Sequence, residues 1–450
     1  MRRFTSTLPA LLVLVVAALT LFAGPTLIQN LQLAGVSSAI GLAQARLDSG
    51  EEGRVFDALE QGTHAVAEAV MPGVVHIDIR VTPTSEQRET MDELRRRFGG
   101  RTPLPPGHPG IPSTGSGWMY DHAGHVITNA HVVRDAESIR VELNDGRVFD
   151  AEVVSADDAT DVAVLSIDPT EQGGGPLFPL RRASKQAVYV GDRVFVFGSP
   201  FGFKFSMSQG IISALGRSEA ATWVGMLGGY TNYLQTDAAM NPGNSGGPIV
   251  NTRGMVIGMN TAIANSRTEG SGGTAGQGQN AGLGFAIPID TVDAVVEQLI
   301  ASNIVIRGFL GVNIVELTPA RAAEAGFVGR GVFIGGREDI DPASPAGKAG
   351  IKRGDIVVSI DGKQTPDGDI LRSLISVRRP GQTVTIELWR DGKVNEVTAK
   401  LGAAYTRVEG PGFFRPVPIP GGDEMTIDRL RDWIRGQQPV KPEPESSVEP

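Results

Sequence analysis

The 450-residue sequence contains no cysteine, which excludes disulfides, a thiol nucleophile and any cysteine-ligated metal while leaving either redox compartment open. It also lacks a basic excess. With 41 Lys+Arg against 50 Asp+Glu the formal net charge is −9, whereas nucleic-acid binding calls for a basic face. Glycine, by contrast, is abundant at 58 residues, which suits a turn-rich, mainly β architecture.

The N-terminus carries a targeting pattern. Arg2 and Arg3 precede an apolar run from Leu8 to Ala23, broken only by Pro9 and Thr20, the layout of an export signal. The run is near the short limit for crossing a bilayer, about 17–25 residues, and no clean A-x-A cleavage site follows it. The favoured reading is an uncleaved inner-membrane anchor over residues 1–25, with the body outside the cytoplasm; the alternative is a cleaved signal and a soluble periplasmic protein. Residues 26–53 read as a linker. Beyond it Phe56, Leu59, Val66, Ala69 and Val70 line one helical face, and Pro72 stops the helix. The alternating GVVHIDIRV opens a β domain, and 82–113, charged and then proline-rich, reads as a long surface loop.

The chemistry concentrates in Thr236 to Val250, TDAAMNPGNSGGPIV. Here Ser245 sits in a glycine turn whose backbone can aim successive N–H groups into one concavity. Gly243, Asn244 and Ser245 are expected to form an oxyanion hole, with the N–H groups of Gly243 and Ser245 as donors. A serine hydroxyl needs a base, and the base an orienting group. His131, in VITNAHVV, and Asp161, in DATDVAVLSID, supply both. His131 is expected at a strand end and Asp161 at the mouth of a short buried strand. His64, His76, His108, His122 and His125 have no such context, and His122 and His125 read as solvated residues flanking a turn.

The order His131, Asp161, Ser245 is the chymotrypsin one. TNAHVV, TDVAVL and QTDAAMNPGNSGGP, with GSGW, VGDRVFVFGSPFGF, SQGIISALGR and GLGFAIPID, resemble the active-site segments of the HtrA (Deg) family of serine proteases. The resemblance implies a double β-barrel protease over 54–302, with the site in the cleft between barrels. It also implies that Ala239 lies at the base of the specificity pocket and that Met240 narrows it, which favours small or medium aliphatic side chains. Asn260, Thr261 and Ala262 would be the edge that pairs with an extended substrate. Asn244 stands where many such zymogens carry an aspartate, which argues against activation by a new N-terminus. The loop Asn265 to Asn280 and the turn Ser199 to Phe203 are expected to switch between disordered and ordered states.

Residues 303–402 resemble one PDZ domain. Phe309, Leu310, Gly311 and Val312 match the carboxylate-binding loop, with Leu371 and Leu374 of the helix Asp367 to Val377 on the other wall. Residues 403–450 read as an extension with a short helix near Thr426 to Gly436 and a disordered acidic tail. The resemblance implies a homotrimer, in which the loop over 82–113 can mediate subunit contacts, and places the chain with the anchored, single-PDZ branch of the family. Its substrates would be misfolded or signalling proteins of the envelope, with C-terminal peptides bound by the PDZ domain and no metal or cofactor. The competing class is a chaperone or PDZ scaffold with a silent protease domain.

Overall fold

The computed structural model describes residues 8–81, 113–171, 174–184, 186–217, 230, 232–265, 280–410, 413–419, 429 and 432–434. The surface loop expected over 82–113, the glycine-rich loop and the acidic tail lie almost wholly outside them. The chain divides into two units, residues 1–66 and 67–450. The first is helical, with one helix over Leu8–Ser49 and the start of a second, Glu51–Val70. The linker expected over 26–53 is therefore helix, and Pro25 lies inside it. The cause is local: Ala, Leu, Gln and Arg dominate AIGLAQARLDS, and these are strong helix formers. Between such flanks a proline removes one hydrogen bond and bends the helix. Among the residues whose side chains are described, no helix is long and apolar enough to cross a membrane.

In the second unit, β1 (Val74–Val81), β2 (Ser113–Met119), β3 (His125–Thr128), β4 (Ala136–Leu143), β5 (Val148–Asp157) and β6 (Val162–Ile167) close into a barrel, ordered β1-β2-β3-β6-β5-β4. The alternation in β1 does what its period requires: Val75, Ile77 and Ile79 enter a core with Val141, Phe149 and Leu165;. A second closed barrel is built from β7 (Arg193–Gly198), β8 (Ser206–Arg217), β9 (Tyr233–Thr236), β10 (Pro248–Asn251), β11 (Val256–Asn265) and β12 (Asn280–Pro288). The helix Ile289–Ser302 follows and ends at Asn303, whose φ of 58° makes it a left-handed cap;.

After β13 (Ile306–Phe309) the chain forms a six-stranded sheet. Its strands are β14 (Ile314–Val315), β15 (Val332–Ile334), β16 (Ile356–Ile360), β17 (Lys363–Gln364), β18 (Thr383–Arg390) and β19 (Lys393–Lys400). The helix Gly368–Ser376 begins where Asp367 accepts the N–H groups of Asp369 and Ile370;. The extension is more ordered than its sequence suggests: β20 (Gly402–Gly410) and β21 (Phe413–Ile419) join β13 in a three-stranded sheet, order β13-β20-β21. Pro416 and Pro418 hide β21 from a pattern search, yet proline is tolerated on an edge strand, where its missing N–H faces no partner. Of the expected terminal helix, Arg429 and Asp432 to Ile434 are helical, and Ile434 packs with Tyr405 and Ile419.

One buried ion pair ties the first barrel to β13. Arg307 donates to the Asp157 carboxylate at the end of β5 and lies 4.4 Å from the Tyr230 ring centroid, while the Tyr230 hydroxyl bonds to Thr406 of β20. Removing one member strands the other in a site withdrawn from water. Arg307→Ala is expected to cost about 3–5 kcal/mol of unfolding free energy in a urea melt, and Arg307→Met combined with Asp157→Leu, which removes both charges, clearly less. Equal losses in the two proteins would show that the stranded charge is not the cause.

Candidate active site

The site is assembled where the two barrels meet. β3 ends at Thr128, and His131 lies in the short helix Ala130–Val133 that follows, just past the strand end where its sequence context puts it. Asp161 precedes β6 and has a φ of 58°, a left-handed backbone that Asp tolerates better than most residues. Its surroundings hold it there. The Asn129 Nδ2 donates to the Asp161 carbonyl at 2.9 Å. The carboxylate, on a residue only 3% exposed, accepts from the His131 backbone N–H at 2.9 Å, from His131 Nδ1 at 2.8 Å and from Thr261 Oγ1 at 2.7 Å. A buried carboxylate so surrounded is fully paired.

The geometry fixes the imidazole through Nδ1 and leaves Nε2 for chemistry; 42% of the His131 side chain is exposed. Burial works against the imidazolium, but the Asp161 charge and its hydrogen bond outweigh it, so His131 titrates above its ordinary value;. Ser245 Oγ donates to the Thr261 carbonyl at 3.4 Å, and among the described residues no hydrogen bond joins it to His131. Thr261 thus touches both Asp161 and Ser245, its hydroxyl on the one and its carbonyl on the other. Sequence reasoning placed Thr261 on the substrate edge and missed its link to Asp161, a contact across 100 positions that no local pattern signals.

The nucleophile turn is held tightly. Gly243 has a φ of 101°. At Gly246, φ 85°, a Cβ would stand 2.2 Å from the Ser116 carbonyl oxygen, so only glycine fits;. The N–H groups of Gly243 and Ser245 have no acceptor among the described residues, as an oxyanion hole requires. Asn244 departs from the expected donor set: its N–H is committed to the Asn241 carbonyl at 3.0 Å.

The remaining substrate-binding residues divide. Met240 is buried at 2%, and its thioether lies against Gly284 of β12. Ala239, expected at the pocket base, is instead exposed, its carbonyl accepting from Ser208 Oγ at 2.7 Å; it is Met240 that turns inward. Asn260 is not a free edge, because its N–H donates to the Gly247 carbonyl and its carbonyl accepts from Gly246, both at 2.9 Å. The register shifts between Asn260 and Ala262, which leaves Thr261 out of the ladder, while the Ala262 side chain lies outside the described residues.

In the C-terminal domain Leu310, Leu371 and Leu374 share one buried cluster, with Val312 packed against it. Phe309 ends β13, paired with Gly402. Gly311 has a φ of 81°, and the N–H groups of Leu310, Gly311 and Val312 have no acceptor among the described residues. Successive free donors of this kind are the backbone arrangement from which anion-binding concavities are built. Outside these regions His76 and His125 are paired with Asp78 and Asp121, so His125 is not simply solvated. No group of three His, Asp or Glu among the described residues could hold a metal.

Comparison with known proteins agrees with this architecture. Residues 115–259 match the trypsin-like peptidase domain and residues 308–401 the PDZ domain. The putative serine protease HhoA of Synechocystis is 36% identical over 338 residues, covering 73% of this chain and 81% of that protein. The periplasmic pH-dependent serine endoprotease DegQ of Escherichia coli is 37% identical over 371 residues, covering 82% and 76% respectively. Among solved structures, the HtrA-type protease AlgW with tripeptide matches with a TM-score of 0.53 and 32% identity, over 75% of this chain and 96% of that one. With two barrels, one PDZ domain and relatives of this extent, the chain belongs to the HtrA/Deg family of serine proteases.

Proposed function

We propose that Ser245, His131 and Asp161 carry out peptide-bond hydrolysis in the bacterial periplasm. The observation that carries this reading is the His131–Asp161 pair at 2.8 Å beside a serine whose turn presents two free N–H groups. His131 takes the Ser245 proton as the hydroxyl attacks, and the developing oxyanion is received by the Gly243 and Ser245 N–H groups. His131 then protonates the leaving amine, and Asp161 holds the tautomer and stabilises the imidazolium. At rest the Ser245 hydroxyl is on the Thr261 carbonyl at 3.4 Å. An extended substrate pairing with the backbone at Thr261 would claim that carbonyl with its own N–H and release the hydroxyl toward His131, since catalytic hydrogen bonds often tighten only in the complex. Met240 closing the pocket favours small or medium aliphatic side chains.

The PDZ loop Leu310 to Val312 is proposed to hold a peptide C-terminus by its carboxylate, of a substrate or of an activator. Residues 8–23 are proposed to direct export and to remain as an anchor; Leu12, Val13 and Leu14 each expose about two-thirds of their surface on the first helix. Exposed Tyr189, Val190 and Ile211 offer apolar surface for a homotrimer.

Ser245→Ala is expected to reduce cleavage of an unfolded protein by about 10⁶-fold and to abolish labelling by a fluorophosphonate. Undiminished cleavage would sink the mechanism, and suppressed aggregation without cleavage in the wild type would favour a chaperone. Since His131 must be neutral to act as base, kcat/KM should fall as pH drops through a value above the ordinary imidazole pKa of about 6.5. In Asp161→Asn the groups that raise it are gone, so this acid limb should move to lower pH while kcat drops about 10⁴-fold. An acid limb that stays in place would remove Asp161 from the assignment. For the PDZ domain, amidating the C-terminus of a bound peptide should weaken binding at least tenfold in calorimetry, and equal affinity would exclude carboxylate capture.

A further inference from the structure

Ser116, on β2 of the first barrel, is fully buried and makes contacts that the chemistry above does not use. Its Oγ donates to the Gly243 carbonyl at 2.6 Å and accepts the Ser199 N–H at 2.8 Å. Its backbone N–H donates to the Ser245 carbonyl at 2.9 Å. Its own carbonyl accepts from Thr128 Oγ1 at 2.7 Å, three residues before His131.

These bonds act on successive peptide planes of the nucleophile turn. The 243–244 plane is held at both ends, its carbonyl by Ser116 Oγ and its N–H by the Asn241 carbonyl. The 245–246 plane is likewise held, by the Ser116 N–H and the Asn260 carbonyl. Between them lies the 244–245 plane, whose carbonyl accepts from Gly247 and whose N–H is the free Ser245 donor. Fixing the flanking planes fixes the direction of that donor. Glycine at 243 and 246 would otherwise leave the turn several paths.

We propose that Ser116 is a positioning residue for the oxyanion hole: its hydroxyl and N–H, referenced through Thr128 to the end of the strand that leads into the His131 helix, set the direction of the Ser245 donor. It touches neither substrate nor reacting atoms. The inference rests on Ser245 being the nucleophile, and it adds that the first barrel, which supplies the base, also sets the electrophile-stabilising half of the site in the second. Because Ser116 Oγ also holds Ser199, displacement of the Ser199 to Phe203 turn is felt at the Gly243 carbonyl.

A misdirected donor loses transition-state binding before substrate binding. Loss of an oxyanion donor costs about 10²–10³ in kcat, and a displacement of about 1 Å costs about 10². In the full-length chain, Ser116→Ala should therefore lower kcat on an extended peptide anilide 10- to 100-fold with KM within twofold. Inhibition by a peptide boronate of the same sequence should weaken by the same factor, and affinity for the cleaved product peptide should be unchanged. A kcat within twofold of wild type, or a change confined to KM, overturns the proposal. Equal weakening of boronate and product does the same. Should Ser116→Ala lose its cooperative melting transition, Ser116→Cys carries the test. It keeps an atom in place but donates weakly, and should give an intermediate kcat; wild-type kcat there is equally fatal. Turnover that survives Ser245→Ala would instead refute the nucleophile assignment, which separates the two failures.

Discussion

A single buried carboxylate organises this protease. Asp161 is withdrawn from water, and an ionised group in such a place must find partners for its oxygens. One partner, His131, comes from the same barrel; another, the Thr261 hydroxyl, comes from the second barrel. Satisfying the charge therefore requires the barrels to dock, and docking brings Ser245, one turn from β10 and bonded to Thr261, alongside the imidazole. The left-handed backbone at Asp161 is tolerated because Asn129 and Thr261 over-determine it;.

The logic of pairing repeats at the domain junction. Arg307 stands at the start of the segment leading into the PDZ domain, and Asp157, its partner, also accepts the N–H and hydroxyl of Thr160, the residue before Asp161. The carboxylate that anchors β13 is thus four residues from the one that orients the His131 imidazole.

The two barrels, the PDZ domain and the segments that bring His131, Asp161 and Thr261's neighbour Ser245 to one place were legible because each is written locally. TNAHVV, TDVAVL and GNSGG each carry a reactive residue among apolar or glycine neighbours whose pattern sets the local backbone. What escaped was written non-locally or in negative terms. Thr261 reads as one strand residue among several until the fold brings it to Asp161, and Ser116 is one serine in a glycine-rich strand until Gly243 arrives against it. Ala239 and Asn260 were placed by family resemblance, which fixes neither side-chain direction nor which backbone groups are already used. Residues 26–53 read as a linker because their apolar residues keep no single helical face, whereas their Ala, Leu, Gln and Arg content favours helix without one;. In β21 two prolines argue against a strand in general but not against one at an edge;.

Those two prolines have a consequence for a protein whose substrates are polypeptides. β21 ends its sheet, and a sheet end is ordinarily a template on which any stray extended polypeptide can nucleate. Pro416 and Pro418 cannot donate along such a border, so a client strand laid there would find gaps instead of a ladder. An unfolded chain held close to the enzyme is thereby discouraged from adhering at this border, where it would be neither cut nor released.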